Sequence, residues 1–160
     1  MKLSVEINNT TRQKINVQKI RKMTEHFLRA YRKSGREVSL AVVGAAEMRR
    51  LNKKYRGIDK TTDVLSFSSG DSSGKTRRAV KFWGEVIINI QEAKKIGHYR
   101  KMLAEIGEQE RTDRDGDYIF YFLLVHGLLH LAGYDDKTEK ERRVMLVRGK
   151  KFLEKAYKVV

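Results

Sequence analysis

The chain has 160 residues, 40% of them hydrophobic, with no cysteine, no proline and a formal net charge of +15. That length suits one domain over 1–160 with a core of its own, and the lack of cysteine excludes both a disulfide framework and a thiolate metal site. The charge is lopsided: residues 1–60 carry sixteen Lys and Arg against five Asp and Glu, and the remainder nineteen against fifteen.

A basic N-terminal portion points to a polyanion, through phosphate neutralisation and counterion release; the plainer reading of the same charge is a solvated, lysine-rich surface. No apolar run reaches the about 20 residues a bilayer span needs. The opening MKLSVEINN lacks the apolar centre of a secretory signal, so a cytoplasmic location without a membrane is expected.

Leu3, Val5 and Ile7 alternate with polar residues and predict a half-buried strand. From Asn16 to about Lys33, Ile20, Met23, Phe27, Ala30 and Tyr31 keep helical spacing, and Ser34 and Gly35 close the helix. Val38 to Val43 is an internal strand. A second helix runs from about Ala45 to Tyr55 with Met48, Leu51 and Tyr55 facing inward, and Gly57 ends it. Val64 to Phe67 is a third strand, Ser68 to Arg78 a polar surface loop, and Phe82 to Ile90 a fourth strand. A helix follows from about Gln91, open to interruption at Gly97, then a polar connection GEQERTDRDGD. The last helix spans about Lys137 to Tyr157. The expectation is α+β: a single small domain, one four-stranded mixed sheet with about five helices.

The most informative stretch is YIFYFLLVHGLLHLAGYDD, Tyr118 to Asp136. A helix apolar on every side is a buried helix, and His126 and His130, four residues apart, share one face of it. That spacing lets two imidazoles grip one metal ion. Gly133 allows the chain to turn back, so that Asp136 adds a carboxylate as third donor and leaves a position for water, as in catalytic zinc sites. Two alternatives stand beside it: Asp136 and Glu139 also read as an N-cap and its partner opening the last helix, and Asp135 is an acceptable substitute donor.

A metal of this kind suggests hydrolysis. Zinc proteases place a glutamate directly after the first histidine, and here that residue is Gly127, so a peptidase lacks its proton carrier. Glu85 is one carboxylate that could act as base. Arg56, beside Gly57, presents a planar fork suited to phosphate oxygens, although by composition alone it reads first as a surface arginine in a helix C-terminal turn. Around it Arg49, Arg50, Lys53, Lys54 and Lys60 form a cationic patch with Tyr55 inside it, the usual elements of single-strand RNA binding. Tyr55 and Trp83 are both read as core residues before stacking platforms.

HGLLHLAGYDD resembles the HGxLHLxGYDH motif of the YbeY family, bacterial single-domain metal-dependent endoribonucleases of ribosomal RNA maturation. LNKKYRGIDKTTDVLSF is similar to that family's LNxxYRxxDxPTDVLSFP, and FWGEVIINIQEA to its LGDIxIxxxxA strand, all in the family's order. The resemblance implies that His126 and His130 are zinc ligands and that Arg56 and His126 are catalytic. It implies a single-strand-specific endoribonuclease that matures the 3′ end of small-subunit ribosomal RNA and serves ribosome quality control, with RNA and the small ribosomal subunit as partners and no nucleotide cofactor. Two positions depart from the pattern. The family's third histidine is Asp136, which admits divalent metals other than Zn2+, and Thr61 and Ser68 replace prolines. The competing functions are a non-catalytic ribosome-assembly factor with a structural metal, and a metalloprotease or other metallohydrolase.

Overall fold

The computed structural model describes residues 4–70, 81–108 and 116–160. Leu3 and most of the loop and connection expected around 71–80 and 109–115 lie outside them. Strands β1 (Val5–Asn9), β2 (Glu37–Val43), β3 (Val64–Ser68) and β4 (Phe82–Asn89) form one sheet in the order β1-β2-β4-β3. β1, β2 and β4 are parallel and β3 is antiparallel to β4. The sheet is therefore mixed.

Six helices are present among the described residues: α1 (Val17–Ala30), α2 (Ala45–Arg56), α3 (Ile90–Ala93), α4 (Ile96–Glu105), α5 (Tyr118–Leu131) and α6 (Glu139–Ala156). The extra helix arises after β4. Asn89 accepts the Gln91 and Glu92 N–H groups and caps the single turn of α3, and the Lys95 N–H closes it on the Glu92 carbonyl. The interruption thus falls at Lys94–Lys95, and Gly97 lies inside α4. α1 is shorter than its apolar pattern implies. Arg32 adopts a left-handed φ of 55° and the Lys33 N–H returns to the Leu28 carbonyl, a closure that ends the helix before Ser34 and Gly35.

α1, α5 and α6 pack with Val38, Leu40, Val42, Val86 and Ile88 in the main core. On the other side of the sheet α2 covers a smaller cluster of Val43, Met48, Leu65 and Ile87. The alternation of Val86 and Ile88 with Ile87 between the two clusters is the period-two geometry of a strand buried on both faces. Tyr55 departs from its core spacing: it is 56% exposed and leans on Phe67 with ring centroids 5.2 Å apart, because the sheet surface beneath the end of α2 is only partly covered. Trp83 is buried, as its strand position requires.

α5 is the central helix. Of its residues only His126 and His130 escape full burial. Its seat depends on Gly127, where a Cβ would meet Val86 Cγ1 at 2.6 Å and Val64 Cγ2 at 3.4 Å. The residue that removed the protease glutamate is therefore also what lets the helix lie against β4 and β3.

Candidate metal centre

After Leu131 the chain reverses over the end of α5. Gly133 takes a φ of 98°, the left-handed region that side chains rarely adopt. Its N–H bonds the His130 carbonyl and the Tyr134 N–H bonds the Leu129 carbonyl. This turn carries Asp136 back to the two histidines. His126 Nε2 lies 3.2 Å from His130 Nε2, and Asp136 Oδ2 lies 3.3 Å from the first and 3.6 Å from the second.

A tetrahedral ion with ligand bonds of about 2.0–2.1 Å holds its donors about 3.3–3.4 Å apart. The three observed spacings bracket that edge, so the donor set fits a small divalent ion. The tautomers fit as well. His130 Nδ1 is 3.0 Å from the Tyr134 carbonyl, so Nδ1 donates and Nε2 keeps its lone pair for a metal. Burial and the neighbouring His130 push the His126 imidazole below its ordinary value, against the opposing pull of Asp136 and Asp63. It is held in the neutral form that coordination needs.

Both alternative readings of the carboxylates are decided by the turn. The N-cap of α6 is Thr138, which forms a reciprocal capping box with Glu141, so Asp136 is not engaged as a cap. Asp135 is tied to Lys137 at 3.0 Å and accepts the Asp136 N–H, so Asp136 is the carboxylate that joins the histidines.

The three donors open onto a cavity of about 670 Å³. Its lining comes from the turn Leu131–Lys137, from Arg56 at the end of α2, and from the segment around Thr62, Asp63 and β3. Glu85 is elsewhere. It accepts a hydrogen bond from Ser39 at 3.4 Å and lines a groove with Ile87 on the opposite sheet face, because it alternates with Val86, which packs under α5. The cavity's carboxylate on the strand side is Asp63, a residue that reading the sequence passed over as the lead-in to β3. Its Oδ2 accepts from the Tyr99 hydroxyl at 3.1 Å and its Oδ1 from the Val64 N–H at 2.8 Å. Its carbonyl accepts the Asn89 N–H, while the Asn89 amide donates to Thr61 and Thr62. Burial, with the Asp63 carboxylate beside it, pushes the Tyr99 phenol far up and keeps it a donor. The polar pair Thr62–Asp63 in front of an apolar strand was the available signal.

Comparison with known proteins agrees with this architecture. The family model described as Endoribonuclease YbeY matches residues 6–157. The chain belongs to the YbeY family. It is similar to the endoribonuclease YbeY of Geobacillus sp., with 35% identity over 131 residues covering 76% of this chain and 74% of that one. It is also 36% identical to the Leptospira interrogans endoribonuclease YbeY over 132 residues, 74% of this chain and 85% of that one. The solution structure of TM1509 from Thermotoga maritima shares the fold at a TM-score of 0.54 and 21% identity, covering 96% and 89% of the two chains.

Of the cations Arg49, Arg50, Lys53, Lys54, Arg56 and Lys60, only Arg56 reaches the cavity lining, which Lys137 of the turn also joins. Arg49 and Lys53 both pair with Asp59, at 2.9 Å and 3.4 Å, and Arg50 pairs with Glu47 at 2.7 Å. Lys54 sits over the Tyr55 ring, and Lys60, exposed, lies beside Arg49 and Asp59. These five lie on α2 and the segment just after it, outside the cavity lining, and three of them are engaged with carboxylates. No helix among the described residues is long and apolar enough to cross a membrane.

Proposed function

We propose that this chain, as one metallo-endoribonuclease domain over 1–160, is a zinc-dependent endoribonuclease. It cleaves single-stranded RNA at the cavity between α5 and β3, in the maturation of small-subunit ribosomal RNA in the cytoplasm, with the small ribosomal subunit as partner. The observation that carries the reading is the convergence of His126, His130 and Asp136 at the edge length of a tetrahedral ion, in a cavity that also holds Arg56.

His126, His130 and Asp136 hold the ion, and the Tyr134 carbonyl fixes the His130 ring. When bound, the ion supplies a Lewis acid that polarises a phosphoryl oxygen and lowers the pKa of water. Arg56, which lines the same cavity, binds the phosphate and offsets the charge that builds up on it in the transition state. Asp63, oriented by Tyr99 and the Val64 N–H, accepts the proton released by the attacking nucleophile. The exposed cations of α2 draw the strand toward the cavity. An aspartate in place of a third imidazole adds a negative charge to the site, which weakens the Lewis acid and broadens the choice of metal.

The test is RNA cleavage by wild type, Arg56→Ala and His126→Ala, with metal content measured on wild type and Asp136→Ala. Both cleavage variants are expected to lose at least about a hundredfold in rate, and Asp136→Ala to bind metal at least about tenfold more weakly. Equal cleavage by all three proteins would remove the assignment.

A further inference from the structure

The wall of the cavity formed by the Leu131–Lys137 turn continues onto α6 and α1 as a ring-and-cation stack that the proposed chemistry does not use. The guanidinium carbon of Arg148 lies 4.6 Å from the centroid of the Tyr134 ring. Tyr134 itself meets Tyr31 edge-on, with centroids 6.3 Å apart at 89°, and Tyr31 stacks flat on the buried Phe27 at 4.2 Å. Burial pushes the Tyr31 phenol up, and the Arg148 guanidinium hydrogen-bonded to it acts in the opposite direction. Arg148 is thus held from two sides while its residue stays exposed. Among the described residues it has no carboxylate at ion-pair distance, unlike Arg49, Arg50 and Lys53 on α2.

A guanidinium lying on an aromatic face has one side covered and one side open. The open side is a planar, charged surface of the kind on which unstacked bases settle, and the N–H edge still reaches a phosphate. Its support is rigid, because Tyr134 is fixed through its N–H to Leu129 and its carbonyl to His130. The stack therefore stands at a constant offset from the metal donors.

We infer that Arg148, seated on Tyr134 and Tyr31, is a subsite for a nucleotide flanking the scissile phosphate. It stacks one base of single-stranded RNA and contacts the adjoining phosphate. The inference rests on the RNA-cleaving reading of the cavity and adds, through the lining residue Tyr134, a second anchoring point beside the cavity that Arg56 lines. Stacking on a guanidinium tolerates any base, so the subsite lengthens the bound strand without selecting its sequence.

The test uses Arg148→Met, which keeps an aliphatic cover over the ring, and Arg148→Lys, which keeps charge and loses the plane. KM and kcat are measured on a short oligoribonucleotide that fills the cavity alone and on one several nucleotides longer. Binding of a single-stranded DNA of the longer length, read by fluorescence anisotropy at several salt concentrations, requires no cleavage. Arg148→Met is expected to raise KM for the long substrate about tenfold, leave the short substrate and kcat unchanged, and reduce the salt slope of binding by about one; Arg148→Lys restores the salt slope and only part of the affinity.

Unchanged binding and KM in Arg148→Met would overturn the subsite while leaving the nuclease assignment intact. Equal losses on both substrate lengths with a lowered Tm would also overturn it, as a packing role for Arg148. Displacement of the DNA by oligoglutamate at equal concentration would reassign the surface to an acidic protein segment. A wild type that binds the long DNA with Arg148 dependence yet cleaves no RNA would keep the subsite and remove the nuclease reading.

Discussion

Asp63 shows how much one side chain draws on its neighbours. Its carboxylate accepts from Tyr99 and from the Val64 N–H, and the segment carrying it is tied through Asn89 to the end of β4. Asp63→Asn keeps the shape and removes the proton acceptor. It is expected to lower kcat by about 10²–10⁴ with metal content unchanged, as judged by atomic absorption on the same preparations; an active Asp63→Asn protein would move the base elsewhere. His126 contributes a pH dependence in the imidazole range. Its folded pKa lies below its unfolded one because of burial and His130. The group therefore costs stability below the ordinary imidazole range near 6.5, where the unfolded chain takes up the proton, and nothing above it. In metal-free protein the His126 ring is expected to titrate, by NMR, with a midpoint under that ordinary value. A midpoint above it would mean that Asp136 and Asp63 outweigh burial.

At the scale of elements, the seat of α5 decides whether the site exists at all. Gly127 faces Val86 and Val64 with no room for a methyl group, since a Cβ there would stand 2.6 Å from Val86 Cγ1. Gly127→Ala forces the helix away from β4, for a cost of about 1–3 kcal/mol by analogy with overpacked cores. Chemical denaturation should show that loss together with a weaker metal affinity, because His126 is the adjacent residue. Retained stability and affinity would mean that Val86 simply rotates. The start of α6 matters in a similar way. By capping the helix with Thr138 and Glu141, the chain leaves Asp136 in the turn, clear of the helix and beside the histidines.

For the whole molecule, an ion held by the proposed donors would be a tie between the end of α5 and the turn leading to α6. A ligand that binds only the folded state at a hundred times its dissociation constant adds about 2.7 kcal/mol. In a chain of this size each kcal/mol shifts Tm by about 2–4 °C. Chelation should thus lower Tm by roughly 5–10 °C, as read by circular dichroism before and after zinc is restored; an unchanged Tm would show that the fold is indifferent to the ion. The net charge of +15 acts at the same scale, steering any polyanion before a specific contact forms.

Read alone, the sequence determined whatever depends on spacing along one element. The all-round apolar character of Tyr118 to Leu131 marks a central helix, the interval between His126 and His130 puts both rings on one face, and the alternation along the strands marks a sheet. The tertiary structure decided whatever depends on two elements meeting. It separated Asp136 from Asp135 and from the helix cap, sent Glu85 to the far side of the sheet and put Asp63 in its place, exposed Tyr55, and brought Arg148 from α6 onto Tyr134. The physical reason is that helical and strand periods fix which way a side chain points from its own backbone. The partner it finds there is set by close packing, by one glycine under Val86 and by one left-handed turn at Gly133.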